Sequence, residues 1–167
     1  TLPVVGGTNE ERQLCHGSQE EGISVLVVED NDDFRRFLVG CLKEHYQVFE
    51  ASNGKEALEI LSQQSVQMVI SDVMMPITDG ITLCRRIKGD IRTSHIPVIL
   101  LTAKSAKDSQ LVGLEAGADD YISKPFNMEM LLLKVRHLIE MKKKMQKAFM
   151  QSSTTVSYTH LTLPTIA

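Results

Sequence analysis

Five polar residues stand directly after or just past short apolar stretches of this sequence, and their types could do chemistry together. They are three acids, one hydroxyl and one amine: Glu29, Asp30, Asp72, Thr102 and Lys124. Acids that lie close together repel one another, which raises at least one carboxyl pKa unless a positive charge compensates. Mg²⁺ can compensate, because it prefers oxygen ligands and binds through one or two carboxylates and a phosphate oxygen. The set predicts a metal-assisted phosphate site, provided that the fold brings the residues together.

Asp72 is the candidate nucleophile of this set. A carboxylate that attacks phosphorus needs a free oxygen and a neutralised incoming charge, and the metal and an ammonium can together neutralise that charge. Lys124 supplies the ammonium, and Thr102 supplies a hydroxyl donor. Each residue alone also has an ordinary explanation, as a helix cap, a turn residue or part of a loop before Pro125. The joint placement of all five at successive strand ends favours the chemical interpretation.

Apolar runs alternate with amphipathic segments between residues 23 and 141. Short β-branched and aliphatic runs are typical of strands buried on both faces, and five of them occur. They are residues 23–28, 47–51, 67–71, 97–101 and 120–123. Between and after them, apolar residues recur at helical spacing, which predicts five helices.

Several helix ends carry their own signals. Asp79 is a plausible N-cap for the third helix. The fourth predicted helix passes through Leu111 and Leu114, and Gly117 fits the left-handed position that closes many helices. The last helix begins near Asn127.

This alternation predicts a doubly wound α/β fold with five parallel strands covered by helices on both faces. Ligands of such folds lie beyond the carboxyl ends of the strands. The five polar residues stand at those ends, so the fold class selects them as the candidate site.

Four segments resemble the receiver domain of two-component response regulators. They are residues 25–31 (VLVVEDN), 72–80 (DVMMPITDG), 101–103 (LTA) and 117–126 (GADDYISKPF). Taken together these motifs are highly specific, and the resemblance extends over residues 23–141. It implies a flavodoxin-like sheet with strand order 2-1-3-4-5.

The resemblance also implies roles for the site residues. Asp72 would accept a phosphoryl group from a phosphohistidine on a histidine kinase or phosphotransfer domain, in the same chain or another. Mg²⁺, for which Mn²⁺ could substitute, would be held by Asp30, Asp72 and the backbone carbonyl of Met74, with Glu29 acting through metal-bound water. Thr102 and Lys124 would contact the phosphoryl oxygens. Glu29 occupies a position that is often Asp in this family, which should alter metal affinity without abolishing acceptor chemistry.

A conformational switch is implied by the same resemblance. Thr102 would move inward to the phosphoryl group, and Tyr121 would rotate into the space that it leaves. The affected surface comprises the fourth helix, the fifth strand and the fifth helix, with residues 104–110 and 95–99 at its border. Such a surface could pass the signal to an output domain or form a dimer. Alternatively, Tyr121 is a half-buried strand residue without a signalling role.

Composition limits the classes of binding partner and the cellular compartment that we expect for this chain. A formal charge of −3 gives no electrostatic case for nucleic-acid binding by this segment. No apolar run approaches the roughly 18 residues of a membrane span, so we expect no membrane contact by this segment. The three cysteines, Cys15, Cys41 and Cys84, lack the Cys-x-x-Cys spacing of a zinc or redox site. This favours free thiols in a reducing compartment. The expected location is the cytoplasm, or the cytoplasmic part of a membrane-anchored sensor.

The ends of the chain differ from its centre. Residues 1–22 are predicted to be a linker, residues 142–151 a helical extension, and residues 152–167 a disordered tail that need not be native. The chain begins at Thr1 rather than Met, which indicates an excised piece. Residues 1–4 resemble the last strand of histidine-kinase ATP-binding domains, which favours a receiver within a hybrid sensor kinase. The isolated domain is not expected to be an enzyme beyond its own phosphorylation and slow dephosphorylation.

Three other functions compete with this interpretation. A pseudo-receiver would act through protein contacts alone, but nothing in such a module requires these five residue types. A flavodoxin-like cofactor protein would need a Ser-, Thr- or Gly-rich phosphate loop where residues 29–33 are mostly acidic. A phosphatase of the haloacid dehalogenase type would carry its nucleophile after the first strand, whereas Asp72 follows the third.

Overall fold

The computed structural model describes residues 22–75, 77–103 and 116–160, with the side chains of 151–160 excepted. Its strands are β1 (Ser24–Val28), β2 (Gln47–Ala51), β3 (Met68–Asp72), β4 (Val98–Ala103) and β5 (Asp120–Lys124). Its helices are α1 (Asp32–Leu42), α2 (Gly54–Gln63), α3 (Gly80–Gly89) and α4 (Met128–His160). The predicted linker up to residue 21, the predicted fourth helix, residues 104–110 of the predicted switch surface and residues 161–167 lie outside the described residues.

The five strands form one parallel sheet in the order β2-β1-β3-β4-β5, which confirms the predicted fold class. In the strand register, Val28 pairs with both Ala51 and Ser71, Asp72 pairs with Leu101, and Ala103 pairs with Lys124. The carboxyl ends of the strands therefore meet at one edge of the sheet. This alignment brings residues that are far apart in sequence to the same place.

The three central strands carry the core of the sheet. All five residues of β1 and of β3 are buried, as are the first five of β4, whereas β2 and β5 are partly exposed as edge strands. Burial on both faces explains the nearly continuous apolar runs of the central strands. Cys84 lies in the core beneath them, and Cys84 and Cys41 are free cysteines, while Cys15 lies outside the described residues.

Three helices begin with a side-chain cap beside the carboxyl edge of the sheet. Asn31, Asn53 and Asp79 each accept a hydrogen bond from the backbone N–H three residues later, at 2.9, 3.0 and 2.7 Å respectively. Such a cap satisfies one of the amides that the first turn leaves without a helical partner. The predicted cap at Asp79 is confirmed.

Two glycines are required by backbone geometry. Gly117 has φ +89°, which confirms the predicted left-handed position. Gly80 is required by a close approach, because a Cβ atom there would lie 2.1 Å from the carbonyl oxygen of Asp72 and 2.9 Å from Cα of Val73. The Gly80 N–H also donates to the Val73 carbonyl at 3.0 Å. The first turn of α3 therefore lies directly against the backbone of Asp72.

The C-terminal helix α4 belongs, from Glu129 onward, to a second compact unit of the chain. It has 33 residues, of which Leu131, Val135 and Ile139 are buried and Met145 and Phe149 are exposed. The helix continues to His160, past the predicted end at residue 151, so the tail predicted from residue 152 is helical as far as His160. Residues 128–160 contain neither Gly nor Pro, and an established helix propagates readily through such a stretch.

None of the helices in the described part of the chain is apolar over a length sufficient to cross a membrane.

Replacing Gly80 by Ala should destabilise the protein, because the new methyl group would overlap the Asp72 carbonyl. We expect a loss of about 1–3 kcal/mol or more in the free energy of unfolding, measured by chemical denaturation. Gly40 in α1 is the matched control, since apart from its chain neighbours and the nearby backbone of its own helix, no atom lies within 4 Å of the position that a methyl group would take there. Gly40→Ala should leave stability unchanged or raise it by up to about 1 kcal/mol. Equal stability of the two variants would contradict the close approach at Gly80.

Candidate functional site

Three acids form a cluster at the carboxyl edge of the sheet. Glu29 and Asp30 directly follow β1, and Asp72 is the last residue of the neighbouring strand β3. One carboxylate oxygen from each lies within 4.8 Å of the others. Glu29 and Asp72 are only 2% and 7% exposed, whereas Asp30 is exposed. The structure thus brings together the three acids that the sequence selected, in a geometry that could hold a metal ion.

Lys124 places a positive charge on this cluster. Its Nζ donates a hydrogen bond to Oδ2 of Asp72 at 2.9 Å and lies 3.6 Å from Oε2 of Glu29. Lys124 is the last residue of β5, two strands away from β3, and only the long side chain bridges that distance. The ammonium therefore partly compensates two buried carboxylates that would otherwise repel each other.

The other carboxylate oxygen of Asp72 is held by the backbone. The Met74 N–H donates to Oδ1 of Asp72 at 3.2 Å, while the Met74 side chain points to solvent and is 74% exposed. Asp72 is thus contacted at both oxygens, by an amide on one side and by an ammonium on the other. This arrangement fixes the orientation of the carboxylate.

Thr102 carries a buried hydroxyl that is not used. The residue is 1% exposed, and within the described residues its Oγ1 has no hydrogen-bond partner. Thr102 lies one position beyond Leu101, which pairs with Asp72 in the sheet. A buried hydroxyl without a partner is unfavourable, so a ligand oxygen that accepted its hydrogen bond would bind favourably.

Tyr121 lies on β5, opposite Leu100 of β4. It is half-buried and packs against the hydrophobic core. This position is compatible with both interpretations of Tyr121, and its role in a switch stays a prediction.

The pKa of Glu29 is raised to about 7 from the ordinary value near 4.5. Burial is the largest cause, because it removes water from the charged form. The neighbouring Asp72 carboxylate raises the pKa further, while the Asn31 N–H, at 3.1 Å from Oε1, and the Lys124 ammonium lower it. Oε2 of Glu29 receives no hydrogen bond from any described residue. Glu29 is therefore a buried carboxyl group whose negative charge is only partly compensated by its neighbours.

Arg35 supports the site, although its sequence position indicates only a polar helix residue. Its guanidinium donates to the backbone carbonyl of Glu29 at 2.8 Å and pairs with Asp32 at 2.6 Å and with Glu50 at 3.2 Å. The Arg35 side chain is 14% exposed. The spacing from Asp32 suggests the first ion pair, but no sequence signal indicates the contact with the Glu29 carbonyl.

Residues 25–136 match the family model of the response regulator receiver domain. This chain belongs to the response regulator receiver family. The match contains all five site residues, so the family assignment and the cluster of side chains concern the same part of the molecule.

The receiver has relatives among longer signalling proteins. It is 42% identical over 149 residues to histidine kinase P4 of Formosa agariphila. The aligned region covers 89% of this chain and 11% of the kinase. It is 36% identical over 141 residues to sensor histidine kinase TmoS of Ectopseudomonas mendocina, covering 84% of this chain and 14% of that protein. The chain therefore spans only a small part of these relatives, and their names agree with a receiver segment of a hybrid kinase.

A solved structure shows the same fold. The signal receiver domain of a signal transduction histidine kinase from Syntrophus aciditrophicus is 41% identical, with a TM-score of 0.67. The similarity covers 70% of this chain and 89% of that domain.

The raised pKa of Glu29 predicts a pH-dependent stability of the metal-free receiver. A folded-state pKa above the unfolded value means that the stabilising contribution is complete below about pH 4.5 and is lost as the pH rises through about 7. In the presence of a chelator, we expect the free energy of unfolding to fall by on the order of 2 kcal/mol between about pH 5 and pH 8. Chemical denaturation at several pH values measures this loss.

Glu29→Gln should remove this part of the pH dependence, because the amide does not titrate. Glu59→Gln is the matched control, since Glu59 is an exposed residue of α2 and should leave the wild-type profile unchanged. The assignment to Glu29 is wrong if the Glu29→Gln variant loses as much stability as the wild type over the same pH range.

Proposed function

We propose that this chain is a phosphoacceptor in two-component signal transduction and that Asp72 takes a phosphoryl group from a partner's phosphohistidine in a Mg²⁺-dependent reaction. The observation that carries the proposal is the 2.9 Å contact between Nζ of Lys124 and Oδ2 of Asp72, at the centre of the acidic cluster. Each oxygen of the Asp72 carboxylate accepts one hydrogen bond, which orients the group and leaves a lone pair on each oxygen for attack on phosphorus.

The transfer forms one bond and breaks one bond. An oxygen of Asp72 attacks phosphorus, the P–N bond to the donor histidine breaks, and its electron pair remains on the imidazole nitrogen. Lys124 balances the negative charge of the phosphoryl oxygens, and the Thr102 hydroxyl donates a hydrogen bond to one of them. The unused donor of Thr102 supports this role, because the phosphoryl group would supply the partner that the buried hydroxyl lacks.

The acidic residues fit a hard divalent cation. Three oxygen donors lie within 4.8 Å of one another, and the buried oxygen Oε2 of Glu29 lacks a hydrogen-bond donor among the described residues. Asp30, Asp72 and the Met74 carbonyl would hold Mg²⁺, with Glu29 acting through a water molecule, and Mn²⁺ could substitute. Bound there, the cation neutralises the acids and draws negative charge from the phosphoryl group.

Signal output would follow from the inward movement of Thr102. The space that it vacates at β4 is next to β5, where Tyr121 stands opposite Leu100. Rotation of Tyr121 would then alter the surface formed by β5, the helix predicted through Leu111 and Leu114, and the C-terminal helix. An output domain or a second copy of the chain would recognise that surface. Phosphorylation is a local change in charge, and it would shift the balance between two side-chain packing arrangements of this surface.

The wider protein is proposed from the relatives. Since the chain matches a small part of two histidine kinases, the natural partner is a histidine kinase or phosphotransfer domain in the same or another chain. The receiver would then work in the cytoplasm, free or as part of an anchored sensor. Any sustained kinase turnover would belong to the other domains, while this domain undergoes phosphorylation and slow hydrolysis.

Substituting Asp72 by Asn should abolish phosphorylation, because the amide is not a nucleophile of this kind. We expect wild-type protein with Mg²⁺ and acetyl phosphate to gain one phosphoryl group by intact-mass analysis, and Asp72→Asn to gain none. Asp33→Asn is the control, since the Asp33 side chain is 96% exposed in α1 and should be phosphorylated like the wild type. An unchanged mass of the wild-type protein would favour a pseudo-receiver that acts through protein contacts alone.

Removal of divalent cations should stop the same reaction. With excess chelator we expect no gain in mass, because the acids and the phosphoryl group then repel each other. Restoring Mg²⁺, or Mn²⁺, should restore the gain. Undiminished phosphorylation in the chelator would show that Lys124 and Thr102 suffice and that the metal assignment is wrong.

A further inference from the structure

An aromatic ring covers the ammonium of Lys124. Nζ of Lys124 lies 4.8 Å from the centroid of the Phe34 ring. At that distance a cation is attracted to the negative face of an aromatic ring. Phe34 is in the first turn of α1, so the contact joins the helix that follows the acidic loop to the strand that carries the lysine.

Two contacts fix Phe34, one at its backbone N–H and one at its ring. The Phe34 N–H donates to the capping side chain of Asn31 at 2.9 Å. The ring meets Phe126 in an edge arrangement, with centroids 6.1 Å apart and planes at 65°. Phe126 follows Lys124 by two positions, so the segment that carries the ammonium also carries a ring that packs against Phe34.

Phe34 is not explained by the hydrophobic core. The main cluster of buried residues and the half-buried side chains packed on it include neither Phe34 nor Phe126 among the described residues. Phe37, the next ring along α1, stacks on Phe34 at 6.4 Å and is 53% exposed. The aromatic rings therefore lie at the edge of the site, where Phe34 contacts a charged group.

We propose that Phe34 is a positioning residue that directs the Lys124 ammonium toward Asp72, an inference that rests on the proposed phosphoacceptor function. Lysine has a long, flexible side chain, and that of Lys124 is 32% exposed, so the carboxylates alone leave it partly free. The ammonium is also shared between Asp72 at 2.9 Å and Glu29 at 3.6 Å. The ring limits the positions that the ammonium can take between these two acids.

A ring has a chemical advantage over another acid at this position. An ammonium has three N–H donors, and an additional carboxylate would occupy one of them and cancel the charge. The face of Phe34 attracts the cation without accepting a conventional hydrogen bond. The donors of Lys124 thus stay directed at oxygen atoms of Asp72 and of the incoming phosphoryl group.

The rate of phosphorylation by acetyl phosphate with Mg²⁺ tests this role. Phe34→Leu, which keeps an apolar side chain but removes the ring, should slow the reaction about two- to fivefold. Phe34→Tyr keeps the ring face and should restore a rate close to that of wild type. Phe149→Leu is the control for loss of an aromatic ring elsewhere and should also leave the rate close to that of wild type, because Phe149 is an exposed residue of α4.

A double-mutant cycle separates positioning from a general structural effect. In a Lys124→Gln background, Phe34→Leu should cause no further slowing, because the cation that the ring contacts is absent. The proposal is overturned if Phe34→Leu reacts as fast as wild type, or if it slows the Lys124→Gln protein by the same factor. Thermal midpoints of all variants identify any loss of folded protein.

A measurement without phosphorylation distinguishes failure of this inference from failure of the proposed function. Protons on Cε of Lys124 should show an upfield NMR shift from the Phe34 ring in wild type, in Asp72→Asn and in Phe34→Tyr. The shift should disappear in Phe34→Leu and persist in Phe149→Leu. Its absence from the wild type would overturn the positioning role even if Asp72 is phosphorylated. If wild type is not phosphorylated but the shift is present, the proposed function fails while the ring contact stands.

Discussion

The site depends on one ammonium held between two buried carboxylates. Lys124 reaches Asp72 and Glu29 from a different strand, and among the described side chains its ammonium is the positive group that pairs with these two buried carboxylates. Compensation is incomplete, because burial and the neighbouring Asp72 carboxylate raise the pKa of Glu29 to about 7 in spite of the ammonium. A site that retains uncompensated negative charge and an unused buried hydroxyl at Thr102 is suited to bind a cation and an oxyanion together.

The rest of the fold provides rigidity for these unfavourably buried groups. Glu29 and Asp72 lie at the ends of strands whose residues are all buried, and a packed sheet of this kind allows little movement of the backbone. Arg35 holds the Glu29 carbonyl, and Gly80 lets the first turn of α3 rest against the Asp72 carbonyl. Polar groups whose burial is unfavourable stay buried only where the packing around them contributes enough free energy of folding.

The sequence predicts the elements and the site residues better than it predicts the contacts around them. Apolar runs define the five strands, and parallel strands put Asp72 and Lys124 at the same edge whatever their side-chain conformations. The contact of Phe34 with Lys124 could not be predicted in this way, because it joins distant segments and depends on the direction of two side chains. The continuation of α4 to His160 was also missed, since Ser- and Thr-rich composition indicates disorder while the absence of Gly and Pro permits a helix. Composition and local propensity disagree there, and neither decides the outcome alone.

The three capped helices that begin at the carboxyl edge of the sheet affect its electrostatic potential. Peptide dipoles in α1, α2 and α3 are aligned so that each helix start carries about half a unit of positive charge, which acts over the first turn. Acidic side chains stand in the same turns, Asp32 and Asp33 in α1 and Glu56 in α2, so they stabilise these helix starts and offset their positive charge. The balance between the helix starts and the acids beside them, rather than the net charge of the whole chain, therefore sets the electrostatic potential at this edge of the sheet.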